Sequence, residues 1–200
     1  MNIYGASGHA KVIIEIVNSI GCPIDTVFDD DENIAEVLNH PVIHSFPEAA
    51  LNSGTVIAIG NNRIRKSVTD AFKGEIQEAI IHSDASVSES VKLGRGTVVM
   101  ANASINAETV IGEHCILNTG STVEHDCEIG DFVHISPNAA IAGGVQVGEG
   151  SHIGIGAVVI PGIKIGRWTI IGAGAVIIKN IPDFATVVGN PGKIIRYTEY

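Results

Sequence analysis

Two histidines and four carboxylates fall within a dozen residues: Glu124, His125, Asp126, Glu128, Asp131 and His134. His125 followed directly by Asp126 is the pair with the most definite chemical use. An imidazole titrates near neutrality and can take a proton from an amine or a hydroxyl. A carboxylate beside it favours the protonated ring and raises its basicity. A backbone N–H close by could hold an oxyanion. Together these parts suit acyl transfer to an amine or hydroxyl, with His125 as catalytic base, Asp126 as its modulator and His134 as a ligand contact.

Placing these groups falls to a repeat of six. From Ile81 to Ile177 an aliphatic residue occupies every sixth position, seventeen in one frame. That period fits neither a helix nor a strand; it marks a solenoid of short flat sides. Three hexapeptides close one triangular coil, so residues eighteen apart stack at about 4.8 Å. The frame predicts a parallel β-helix of a little over five coils. Four residues after each aliphatic stands a small or β-branched residue, such as Ala103, Thr109, Cys115, Ser121, Cys127 and Ser151. Both positions are expected to point into the prism, with Cys115 and Cys127 as core filler. Glycines directly after the aliphatic, as at Gly94, Gly112, Gly130, Gly148 and Gly166, are expected to supply the positive φ of a tight corner.

Stacking gives His125 an address. One coil further on lie Gly143 and Gly144. They leave space and backbone N–H groups beside the His125–Asp126 pair, where a core histidine would have bulk. His134 stacks on His152 as a second polar ridge. His114 reads as structural, outward or toward a corner with no obvious partner, and His82 as a solvated junction residue.

Before residue 81 the pattern changes. Met1–Tyr4, Ile24–Phe28, Thr55–Ile59 and Gln77–Ile81 read as strands, and His9–Ile20 and Ile64–Phe72 as helices. The first helix carries Val12, Ile13, Ile16, Val17 and Ile20 on one side. This alternation predicts a small parallel α/β unit over 1–81, followed by the β-helix over 82–200. Between the first strand and helix, Gly5-Ala6-Ser7-Gly8 could offer amides to a phosphate. Asp29 and Asp30 at the end of the next strand could hydrogen-bond a nucleoside.

Bulk properties set limits. A formal charge of −10 argues against nucleic acid. An apolar fraction of 45% with only 4% aromatics fits a narrow core of small aliphatic side chains. Three cysteines form a sparse, odd set expected of a reducing compartment. The opening residues lack a signal-peptide pattern, and no apolar run reaches the length of a membrane span. The expectation is a cytoplasmic protein with no membrane partner.

The residues Ile3 to His9, Asp29-Asp30, Ala58-Ile59-Gly60-Asn61 and Val123 through Ser136 resemble the sialic acid O-acetyltransferase-like sugar acyltransferases. Within that family the likeness is to acetyltransferases acting on the 4-amino group of UDP-4-amino-4,6-dideoxy sugars in bacterial protein glycosylation. The resemblance covers nearly the whole chain. It implies a left-handed β-helix, a homotrimer, and acetyl-CoA bound as co-substrate in grooves between subunits, with no metal. It implies that His125 takes the amine proton, that Asp126 raises its basicity, and that the Gly143 amide holds the oxyanion. Some relatives carry Glu at the Asp126 position. His134 would meet the acetyl carbonyl or the pantetheine arm, and Ile155 and Ala173 would line the coenzyme groove. Ser7, Gly8 and His9 would hold the nucleotide diphosphate; Asp29, Asp30 and Gly60 would contact nucleoside or sugar. Near the end, Gly189-Asn190-Pro191-Gly192-Lys193 departs from the family's Gly-x-Pro-Ala-Lys at Gly192.

Alternative acceptors are GDP-perosamine and a sialic acid hydroxyl. Outside acyl transfer, γ-type carbonic anhydrases share the repeat but need a His-x4-His pair, which this chain lacks. A non-catalytic nucleotide-sugar-binding module would bind without releasing thiol.

Overall fold

A computed structural model describes residues 1–198. The N-terminal unit is a five-stranded sheet with two helices. Its elements are β1 (Asn2–Tyr4), α1 (Gly8–Ser19), β2 (Thr26–Phe28), β3 (Glu36–Val37), β4 (His40–Ile43), β5 (Thr55–Ile57) and α2 (Asn62–Ala71), in spatial order β3-β4-β2-β1-β5. All pairs are parallel except β3–β4. That hairpin was not legible in the sequence, because Leu38 and Asn39 make its two-residue turn at φ 46° and 64°. The usual glycine signal is missing there.

Helix α1 forms because Ala10, Ile13, Ile14, Ile16 and Val17 make one buried stripe against the sheet. Ile20, expected on that stripe, is the C-cap and lies exposed. Helix α2 starts two residues earlier than the apolar pattern indicates. The Asn61 side chain accepts the N–H groups of Arg63 and Ile64 and so caps it. Of the strand read over 77–81, only Ile80–Ile81 is paired, and its partner is Val98–Val99 in the β-helix.

The second unit is a parallel β-helix with three faces of two-residue strands, each strand paired to the one eighteen residues on. The first face runs from Ser86–Val87 to Val176–Ile177, and the second from Lys92–Leu93 to Lys164–Ile165. The third runs from Ile80–Ile81 to Ile170–Ile171, extended by Ala185–Val188 and the antiparallel Lys193–Tyr197. The repeat aliphatics and the small residues four further on fill one continuous core, as expected. Most polar members of the small position are satisfied along the prism; the buried Ser121 hydroxyl has no partner among the described residues. Thr97, Thr109 and Ser151 donate to carbonyls fifteen residues ahead, and the Cys115 and Cys127 thiols do likewise. Burial pushes the Cys115 thiol up to about 12, so it is inert filler.

The corner glycines work differently from expectation. None of Gly94, Gly112, Gly130, Gly148 and Gly166 has positive φ. A Cβ there would lie 2.5–2.8 Å from the next coil's backbone, or 2.4 Å for Gly166, so glycine is required by the close stacking of coils. The left-handed residue comes two positions later. Every sixth residue from Gly96 to Trp168 and Gly174 has positive φ, and this series includes Asp126, His114, Phe132 and Trp168. Bulky residues in that conformation carry strain of about 1–2 kcal/mol each, which something nearby must offset.

The two units share a second core. Outward residues Ile80, Val98 and Ile116 of the third face pack with Met100 against the apolar residues of α1 and the sheet. In the same outward column the next residues are His134, His152 and Ile170. The α/β unit covers the first part of the column, and the histidines stand where that cover ends. Among the described residues no helix is long and apolar enough to cross a membrane.

Candidate active site

His125 and Asp126 occupy the corner between the first and second faces. His125 Nδ1 and Asp126 Oδ2 are 2.7 Å apart, and both side chains are exposed. With Nδ1 as donor to the carboxylate, Nε2 is left with a free lone pair. Asp126 takes the left-handed corner conformation, at φ 59°, that turns its carboxylate back onto the ring. Beside the ring lies Gly143: a Cβ there would sit 2.7 Å from His125 Cε1 and 2.8 Å from Nε2. The Gly144 N–H is engaged by the His125 carbonyl at 2.9 Å, so only one of the two expected amides remains. The Gly143 N–H has no acceptor among the described residues. An imidazole with a free ring nitrogen, a carboxylate bonded to it and an unused amide donor therefore converge on one corner.

The second constellation is on the third face. His134 and His152 stack with ring centroids 4.7 Å apart and an interplanar angle of 5°, as the eighteen-residue frame predicts. Asn118 Oδ1 accepts the Thr119 N–H, which turns its Nδ2 toward His134 Nε2 at 3.0 Å. His134 is then the Nδ1–H tautomer. Its Nδ1 is buried, and the Gly60 carbonyl is only a weak acceptor for it, outside ordinary hydrogen-bond geometry. His152 Nε2 lies 2.7 Å from Ser136 Oγ.

Two cavities meet at these rings. One, of about 440 Å³, lies between the α/β unit and the β-helix; His9, Gly60, Asn62, His134, His152 and Trp168 are on its walls. The other, of about 550 Å³ and mostly apolar, is lined by Asn118, His134, Pro137, Ile155, Ile170 and Ala173. His134 and His152 belong to both. The structure thus gathers His134, Ile155 and Ala173 in one groove, and joins them through His134 to His9 and Gly60. It does not bring His125 and Gly143 into either cavity of the same chain.

The loop after β1 is shaped by Gly5, whose φ is 113° and where an added Cβ would lie 2.9 Å from the Ala58 carbonyl oxygen, so a side chain is excluded. Ser7 and Gly8 are exposed at the start of α1, and Ser7 makes no side-chain cap. Asp29 is largely occupied inside the protein. Its Oδ2 accepts the Ala6 N–H at 2.6 Å and its Oδ1 the Asp31 N–H at 3.0 Å, so it braces the loop. Asp30 is exposed beside it. His114, read as a corner residue without a partner, is buried and stacked on Phe132 at 5.1 Å.

Burial holds the interior imidazoles neutral, with help from the Arg65 charge. His9 and His114 are lowered to about 4 and His134 to about 3, the last also by His152 and His9; His152 is lowered too. The unfolded chain takes protons at these rings near pH 6.5. Their neutral burial is therefore tolerated above that pH and opposes folding as pH falls toward 4. Urea unfolding is expected to show stability declining across this window, by up to about 1.4 kcal/mol per pH unit for each ring. His134→Gln should flatten the slope by about one proton. A pH-independent unfolding free energy would contradict this.

Sequence reasoning missed Arg65, Asn62, Asn118 and Trp168. Arg65 and Asn62 sit in a helix segment that reads as an ordinary polar face. Among the described residues no group of three or more His, Cys, Asp or Glu side chains is placed to hold a metal ion.

A β-helix of hexapeptide coils, carrying a His–carboxylate corner and an apolar groove beside a small α/β unit, defines the hexapeptide acyltransferase class. Comparison with known proteins narrows this. Residues 1–72 match the PglD N-terminal domain, and 108–143 and 144–179 match the bacterial transferase hexapeptide (six repeats). A perosamine N-acetyltransferase from Caulobacter crescentus, solved with CoA and GDP-perosamine, is 42% identical, with a TM-score of 0.90 over 96% of this chain and 95% of that one. The acetyltransferase domain of PglB from Neisseria gonorrhoeae FA1090, solved with acetyl coenzyme A, is 40% identical, with a TM-score of 0.88 over 97% and 98%. A UDP-N-acetylbacillosamine N-acetyltransferase of Bacillus subtilis (strain 168) is 42% identical over 108 residues, half of this chain and half of that protein's length. The chain belongs to the sialic acid O-acetyltransferase-like family of hexapeptide-repeat sugar acyltransferases.

Proposed function

We propose that the protein is an acetyl-CoA-dependent N-acetyltransferase acting on the 4-amino group of a UDP-linked 4-amino-4,6-dideoxy sugar. The observation that carries this reading is the corner where His125 Nε2 faces Gly143, held by Asp126 at 2.7 Å. The sugar amine attacks the thioester carbonyl as Nε2 takes its proton. The tetrahedral oxyanion accepts the Gly143 N–H. Collapse expels the CoA thiolate, which recovers the proton from His125.

The acyl groove is read as the cavity of His134, Ile155 and Ala173, with the neutral His134 turned to the acetyl or pantetheine group. The sugar nucleotide is read as lying on Ser7, Gly8, His9, Asp30 and Gly60, with Asp29 bracing the loop. Since His125 faces neither cavity of its own chain, a homotrimer that sets the His125 corner of one copy against the groove of the next supplies the complete site.

Two relatives favour different acceptors. The curated relative's name specifies a UDP sugar, and the Caulobacter relative was solved with GDP-perosamine. Thiol release from acetyl-CoA should be measured with a UDP-4-amino-4,6-dideoxy sugar, GDP-perosamine and free sialic acid. Fast release with the UDP-linked amine alone is the expected result. Release with GDP-perosamine alone would move the assignment to that acceptor. Silence with all three would reject the acceptor reading.

A further inference from the structure

Arg65 is a charge buried to 1% exposure, and no carboxylate pairs with it among the described residues. Its donors instead meet five oxygens. Nη1 donates to the carbonyls of Ile59 and Gly60 at 2.9 and 3.2 Å. Nε donates to the His114 carbonyl and Nη2 to the Phe132 carbonyl, both at 2.9 Å. Nη2 also meets Asn62 Oδ1 at 2.9 Å, and Asn62 Nδ2 passes on to the carbonyls of Gly150 and Ser151.

The β-helix residues here are not scattered. His114, Phe132 and Gly150 are eighteen apart, successive members of one corner column, all with positive φ. The same column continues to Trp168, whose ring covers the space where a Gly150 side chain would be. His114 and Phe132 carry left-handed strain that a glycine would avoid, and both present carbonyls to Arg65. On the other side of the guanidinium is the Gly60 turn, which shares a cavity wall with His9 and His134. A planar fork with five donors can bridge two backbones in this way; an ammonium with three cannot.

We propose that Arg65 is the positioning residue of the acceptor site: its guanidinium locks the Gly60 turn to the β-helix corners, and so sets His9 and Gly60 in register with His134. This rests on the acyl-transfer reading above for its kinetic consequence, though not for its structural one. Arg65 also contributes its positive charge next to the imidazoles of His9, His134 and His152. Those three rings and Arg63 line the cavity, with Arg65 buried behind its wall; His114, whose carbonyl accepts from Arg65 Nε, is lowered by the same charge.

The test uses the full-length protein with Arg65→Met, Arg65→Lys and Asn62→Ala. Folding is checked by thermal melting. Arg65→Met should lower kcat/KM for the nucleotide sugar by roughly 10–100-fold, with KM for acetyl-CoA within about twofold of wild type. Amide hydrogen exchange at 60–63 should accelerate, and the His134 and His9 side-chain 15N titrations should move upward. Arg65→Lys should recover the titrations but only part of the exchange protection. If Arg65→Met does not fold, Arg65→Lys and Asn62→Ala carry the same comparison.

Wild-type kcat/KM, exchange and titration in folded variants with a lowered melting temperature would make Arg65 a fold residue only and overturn the proposal. If the wild type transfers acetyl to none of the acceptors, the reaction reading fails. The exchange and titration results, which need no substrate, then decide the positioning role alone.

Discussion

His125→Ala is expected to lower kcat by about 10²–10⁴-fold, with KM for acetyl-CoA nearly unchanged. The side chain is 62% exposed, and its described bond is to Asp126. Its removal leaves no cavity, so the unfolding free energy should change by no more than an ordinary surface substitution, about 0.5 kcal/mol. The effect is therefore chemical and separable from stability. Without an imidazole, the attacking amine must lose its proton to water, and the leaving thiolate must find one elsewhere. Stopped-flow thiol release, with the melting curve as control, measures both sides. A variant that retained most of kcat would remove His125 from the proton path.

Gly143→Ala should be nearly as damaging, for a geometric reason. The added methyl would meet Cε1 and Nε2 of His125 at 2.7 and 2.8 Å. The ring must swing away, which breaks its alignment with Asp126 and shields the Gly143 N–H. Losing an oxyanion donor together with the placed base is expected to cost about 10²–10³ in kcat. Gly144→Ala is the informative contrast. A Cβ at Gly144 meets nothing within 4 Å, but its φ is +68°. Its substitution should cost stability, about 1 kcal/mol, more than activity. Steady-state kinetics and urea unfolding on the two variants should give opposite patterns. Equal kinetic loss from both would mean that general loosening of the corner, and not the contact with His125, is responsible.

Much of this arrangement was legible because a solenoid converts sequence distance into spatial position. The eighteen-residue frame alone puts Gly143 beside His125 and His134 over His152, and both appear in the fold. The same frame places Cys115 and Cys127 in the core. Backbone detail was less accessible. The glycine after each aliphatic relieves a close approach between coils, and the positive φ belongs two residues later, often to a non-glycine such as Asp126 or Phe132. Periodicity marks which residues recur but cannot separate these two demands on a glycine. The α/β unit has no repeat, and there the reading missed the β3–β4 hairpin. Arg65 was invisible for a related reason: apart from Asn62 Oδ1, its partners are backbone carbonyls at 59, 60, 114 and 132, and a carbonyl leaves no trace in residue identity.

The central claim is that the His125 corner of one copy and the His134–Ile155 groove of another make one acyl-transfer site. Mixing two inactive variants tests it directly. His125→Ala lacks the base, and Ile155→Glu places a charge in the apolar groove, where Ile155 is 59% exposed. Each alone should be inactive. Co-expressed and assembled at equal amounts, they should regain roughly a quarter of wild-type thiol release, since each half of a shared site is intact in half of the copies. No recovery, in mixed assemblies verified by native mass spectrometry, would place the whole site within one chain and contradict the account.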